Sequence, residues 1–336
     1  MGLMKPYAMS SEIRTELNTL VAGAANESSG TVAHERLIEK VSVLPPNAIF
    51  EVEDRVGFAL ALVTEQRQQR AAWFRRVPVW DGRVEPDHAP VLMMSKSGYV
   101  RQAALTALTY LPDTGFFVAA LVWRLNDWVQ QVRRAAEDCA ERILPQMSAQ
   151  AIVAAAPFLL ERMSTWGRWG SPPEIVIRTI ARPDCTAELL VQFARSAKMS
   201  AGALRAAMRL ALLDDHILAL SRTAVRPEFR AMLLKAMLDG EVTWVTHYER
   251  QWVNKQYGIT RRVPVLGRRR LSQPDSVEAL IRQGAKDQSP LVRRAAASGL
   301  VKHAAVLPDI GQLMALFAAD KSPSVRWRMD YLARRE

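Results

Sequence analysis

The chain has 336 residues, 49% of them hydrophobic and 24% charged, and a net charge of +11 from 45 Lys plus Arg against 34 Asp plus Glu. The longest apolar runs, 115–123 and 151–160, are too short for membrane-spanning helices, and two isolated cysteines, Cys139 and Cys185, give no disulfide framework. The basic excess points to an anionic partner: nucleic acid, an acidic protein or a phosphorylated ligand.

The N-terminus has one Lys and no apolar run of secretion-signal length, and Pro6 breaks the myristoylation pattern. A reduced cytoplasm, with both cysteines in the core, is the expected setting. A helix is predicted over 10–22, then a linker around NESSG (26–30). A long helix ending QRQQRAAWF (66–74) leads into the insertion RRVPVWDGRVEPDHAP (75–90). Helical units follow at KSGYVRQAALTAL (96–108) and NDWVQQVRRAAEDCAER (126–142). The middle, roughly 148–240, holds a second insertion, STWGRWGSPP (164–173), and weak helical units at 200–213 and 226–238. A helix is predicted over 241–257 (EVTWVTHYERQWVNKQY), followed by the insertion GITRRVPVLGRRRLSQPD (258–275). The chain closes with DQSPLVRRAAASGL (287–300) and DKSPSVRWRMDYLARR (320–335).

The phrase RRVPV occurs twice, at 75–79 and 261–265, and each copy precedes two helical units: Val100 to Val132 is 32 residues and Val292 to Val325 is 33. This reads as an internal duplication of roughly 50–144 and 229–336. Ser289 and Ser322 suit N-caps, Pro290 and Pro323 the first helical position, and Val292, Ala295, Ala296 and Leu300 one apolar face. A period near 33 without strand signals means stacked helix pairs.

The frame D-x-S-P-x-V-R-x-x-A resembles the second-helix signature of HEAT repeats, the short bacterial kind also seen in phycobilisome-lyase-type repeats. The resemblance implies an all-α fold: an α-solenoid of HEAT-like helix pairs carrying two basic loop or short-hairpin insertions. It divides the chain into an N-terminal helical segment (1–45), repeats with an insertion at 75–90 (46–145), degenerate repeats (146–225) and repeats with an insertion at 258–275 (226–336), in one continuous solenoid. It also implies that Asp127, Asp287 and Asp320 pair along the stack with Arg101, Arg133, Arg293 and Arg326.

Binding residues are expected on the insertions. From the first come Arg75, Arg76, Trp80 and Arg83, and from the second Trp166, Arg168 and Trp169. The third supplies Arg261, Arg262, Arg268, Arg269 and Arg270, beside an aromatic stripe of Trp244, Tyr248 and Trp252 at helical spacing. Each has a competing structural reading: the stripe as core, the VPV arms as strands packed on the helices, the tryptophans as loop-to-core anchors. The five histidines show no metal-ligand spacing, and no phosphate-binding or nucleophile motif is present, so no catalytic residue, metal or cofactor is expected. HEAT-like alkylpurine DNA glycosylases place a Trp and an Asp one helical turn apart; Trp123 and Asp127, near Arg133 and Arg134, have that spacing, although Asp127 falls at the repeat's inter-helix position. The leading expectation is a non-catalytic scaffold holding an acidic protein partner as adaptor, inhibitor or assembly factor, without membrane contact. The alternative is phosphate contact with DNA or RNA through the basic insertions.

Overall fold

A computed structural model describes residues 9–24, 30–55, 57, 83–168, 173–196, 199–271 and 276–334. These are mostly helical, with one two-stranded antiparallel sheet among the described residues. The chain divides into two compact units, Met1–Leu189 and Leu190–Glu336. None of the described helices is long and apolar enough to cross a membrane.

In the first unit, α1 (Ser11–Ala24) packs on α2 (Gly30–Ser42). After a helical stretch at 49–55 come α3 (Ala89–Leu92), α4 (Gly98–Ala107), α5 (Gly115–Arg124), α6 (Gln130–Ile143), α7 (Ala149–Met163) and α8 (Glu174–Ile180). Helix α9 (Pro183–Arg195) runs across the boundary between the units. Helices pack on the element two along: α4 on α6, and α5 on α7. Residues 115–122 of α5 are buried all round, which explains the apolar run that a bilayer would otherwise claim.

In the second unit come α10 (Ala201–Arg209), α11 (Ile217–Thr223) and α12 (Pro227–Asp239), then strands β1 (Glu241–Asn254) and β2 (Ile259–Arg270). Helices α13 (Val277–Ala285), α14 (Pro290–His303), α15 (Ile310–Ala318) and α16 (Pro323–Ala333) complete it. Here α12, α14 and α16 pack in series, each beside its own partner α11, α13 or α15. Pro290 and Pro323 open their helices, and the Ser289 hydroxyl accepts from the Leu291 amide at 3.3 Å. Ser322 makes no side-chain cap bond; the Asp320 carboxylate accepts the Ser322 amide instead, at 2.8 Å. Val292, Ala296 and Leu300 are buried on one face of α14.

The joints between successive pairs share one construction. Arg101 forks Nε and Nη2 onto Asp127 at 2.9 Å each, while its Nη1 donates to the carbonyls of Ser95 and Lys96. Arg293 repeats this with Asp320 and the carbonyls of Asp287 and Gln288. Arg230 repeats it again with Asp287 and the carbonyls of Ala224 and Val225. Arg133 and Arg326 reach only the backbone carbonyls of Asp127 and Asp320. Arg101 and Arg293 lie 26 and 27 positions before their aspartates, whereas Arg230 lies 57 before Asp287. The 30 extra positions match the length of the sheet segment, 241–270.

That segment corrects the sequence reading. The helix expected over 241–257 is instead β1, and the insertion at 258–275, expected as a loop or short hairpin, contains β2, so a two-stranded ribbon accompanies a mostly helical fold. β-Branched residues recur on both strands, Val242, Thr243, Val245 and Thr246 on β1 and Ile259, Thr260, Val263 and Val265 on β2, and such residues fit a pleated surface better than a helix. The turn lies at 255–258, where Gly258 takes φ +65. Gly267 sits inside β2. A Cβ there would lie 2.5 Å from the Trp244 indole, so its role is to seat that ring.

Candidate functional site

The ribbon is anchored at one end and free at the other. At its root the Leu271 amide donates to the Gly240 carbonyl at 3.0 Å, and Val242 and Leu271 are buried. Arg269 forks onto Asp214 at 2.6 and 2.7 Å and donates through Nε to the Met208 carbonyl at 3.0 Å. The Arg209 guanidinium lies 5.0 Å from the Trp244 ring centre. Beyond the root nearly every residue from Val245 to Arg262 is exposed. At roughly 3.3 Å per residue, the part past Thr246 extends roughly 25 Å.

A bulge at Thr246 decides which side chains share a face. Register shifts between Val245 and His247, so Trp244 pairs with Gly267, whereas Tyr248 pairs with Pro264, Arg250 with Arg262 and Trp252 with Thr260. The bulge adds one unpaired residue and exchanges the two faces. Trp244 therefore joins Val242 and Arg269 on the packed side, and Tyr248 and Trp252 come up on the other. The aromatic stripe expected from spacing is split: one ring is root, and two are surface, 54% and 55% exposed.

On the Tyr248 face Arg250 stands directly opposite Arg262, and Arg262 lies 5.0 Å over the Tyr248 ring. Glu249 is on the reverse face, bonded to His247 at 3.2 Å, so past the bulge this face carries no acid. Arg268 and Arg270 continue it toward the root, opposite Thr243 and Glu241. Arg261 is on the reverse face, its Nε and Nη2 bonded to Gln251 Oε1 at 2.9 and 2.7 Å.

The expected binding residues are thus redistributed. Arg262, Tyr248 and Trp252 come together, with Arg268 and Arg270 along the same face. Arg269 and Trp244 do not belong with them, because they tie the ribbon down. Trp166 is buried, 5.0 Å from Trp123 and 6.2 Å from Phe158 in ring-centre distance, so it packs in the core of the first unit. Arg168 is exposed, with its amide donating to the Asn126 side chain at 2.9 Å. Arg83 is exposed. Arg75, Arg76, Trp80 and Trp169 lie outside the described residues.

Sequence reasoning left Arg250 off the site, although it is the cross-strand partner of Arg262. Two β-branched runs separated by NKQYG were the available signal for that pairing. Elsewhere in the second unit, a groove of about 350 Å³ sets Arg205, Lys235 and Arg294 against Glu228 and Asp239. Its charges balance more closely than those of the ribbon.

Trp123 and Asp127, the pair with the glycosylase spacing, are each engaged by other side chains. Asp127 is 2% exposed at its side chain and already accepts from Arg101, Arg124 and the Val129 amide. The Trp123 indole donates to Glu53 at 2.7 Å. Among the described residues no group of three or more His, Cys, Asp or Glu is placed to hold a metal ion. Burial, opposed by Arg142, pushes the Cys139 thiol up to about 11, which makes it a poor nucleophile. Neither a protein-family model nor a curated protein sequence matches the chain.

Proposed function

We propose that the chain is a HEAT-like α-solenoid that binds nucleic acid through the exposed face of its hairpin, without catalysis. The thrice-used Arg–Asp joint supports the repeat reading, with the hairpin as an insertion in one joint. The observation that carries the binding reading is Arg250 opposite Arg262, between Tyr248 and Trp252, on a face free of acids past the bulge. Like charges directly across a ribbon destabilise it by up to about 1 kcal/mol. A phosphate seated between them turns that repulsion into attraction.

The test is binding of labelled DNA and RNA at low and then near-physiological salt. Affinity is expected to fall steeply with salt, because phosphate contacts release counterions. Changing Arg250 and Arg262 to Ala should reduce the log–log salt slope by about 1.5, at roughly 0.7–0.9 per contact. Absence of binding at low salt contradicts the proposal. A protein partner is the second reading: Val245 and Leu266 pair on the same face and are exposed, and among the described residues neither edge of the ribbon pairs with a further strand. Capture of an acidic protein that survives high salt favours it.

A further inference from the structure

We infer that the ligand of this face is a single strand whose unstacked bases lie on Tyr248 and Trp252, not the groove of a duplex; the inference rests on the nucleic-acid reading above. Tyr248 and Trp252 are four residues apart past the bulge, so they rise from one face of one strand roughly 13 Å apart. The Arg250–Arg262 pair stands between them. Ring, cation pair, ring is the order that alternating bases and phosphates of a single strand require, since each base offers a face for stacking and each linkage a charge.

Both rings are about half exposed: Arg262 lies over one side of the Tyr248 ring, and the cross-strand neighbour of Trp252 is the small Thr260. Duplex bases are already stacked and offer only their edges to a ribbon in the major groove, where Asn and Gln amides and Arg forks read them. On this ribbon the paired amide residues, Gln251 and Asn254, are on the opposite face, Gln251 bonded to Arg261 and Asn254 accepting the Tyr257 amide. Two large rings beside the arginine pair would hold the strands away from base edges.

The experiment uses the full chain, a labelled mixed-sequence DNA strand, and the same strand annealed to its complement, at one fixed salt concentration. The single strand is expected to bind about 10-fold tighter or more. Trp252→Ala should weaken single-strand binding about 10-fold, while duplex affinity and the salt slope stay unchanged. Trp252→Phe, which still stacks, should restore most of the loss. If the duplex binds as tightly as the strand, or Trp252→Ala weakens both alike, the inference is overturned while the nucleic-acid reading stands. If neither form binds at low salt, both are overturned.

Discussion

Removing the hairpin should leave a folded protein. Gly240 and Leu271 are already joined by a 3.0 Å hydrogen bond, so a short Gly-Ser link replacing 241–270 closes the gap without moving α12 or α13. The lost stabilisation comes from the root. Burial of Val242 is worth about 2 kcal/mol. The Arg269–Asp214 pair has side chains 20% and 33% exposed, which limits it to about 1 kcal/mol. The Arg209–Trp244 contact adds about 1 kcal/mol. A loss of roughly 3–4 kcal/mol is survivable for a domain with roughly 5–15 kcal/mol in hand. At roughly 2–4 °C per kcal/mol, the transition of the second unit should fall by roughly 10 °C. Far-ultraviolet circular dichroism with a thermal scan measures both retained helix and shifted midpoint. Loss of helical signal at room temperature would refute the insertion argument. An unchanged midpoint would show that the root contacts contribute nothing.

Two further predictions concern the joints. Asp127→Ala leaves the buried Arg101 guanidinium without its carboxylate, and Arg124 with only Glu53. The loss expected for breaking such a buried pair is about 3–5 kcal/mol, measured by urea denaturation. A change below about 1 kcal/mol would mean that the network is not holding the first unit together. At Asp320 the Arg293 fork holds the carboxyl below its ordinary value, against burial and with help from the Ser322 amide. Its contribution is present above the unfolded value of about 3.9 and is lost as pH falls through the lower folded value. Acid titration should therefore show Asp320→Asn less stable at neutral pH and with a shallower decline below about pH 4; parallel curves would sink the assignment.

The helices were legible because their ends carry chemistry as well as periodicity. Pro290 and Pro323 sit at first helical positions, and Val292, Ala296 and Leu300 keep one face. The hairpin was misread because a spacing of four is ambiguous. Trp244, Tyr248 and Trp252 share a face on a helix, and on a regular strand as well, since four is even. The β-branched residues on both arms were the better guide, and they were outweighed. No pattern in the letters announces the bulge at Thr246, which moves Trp244 to the packed face. The joint at Arg230 was hidden for other reasons. Arg226 and Phe229 stand at the positions that Ser and Val take before Arg101 and Arg293, and the partner Asp287 lies beyond the hairpin. Arg269 looked like its neighbours Arg268 and Arg270, and only the fold shows Asp214 beneath it.

The exposed face of the hairpin is tested most directly by salt-dependent nucleic-acid binding of the full chain beside the chain lacking 241–270. Binding by the full chain that weakens with salt, and is absent from the folded shortened chain, is the predicted result. Equal binding by the two would place the basic surface elsewhere and contradict the central claim.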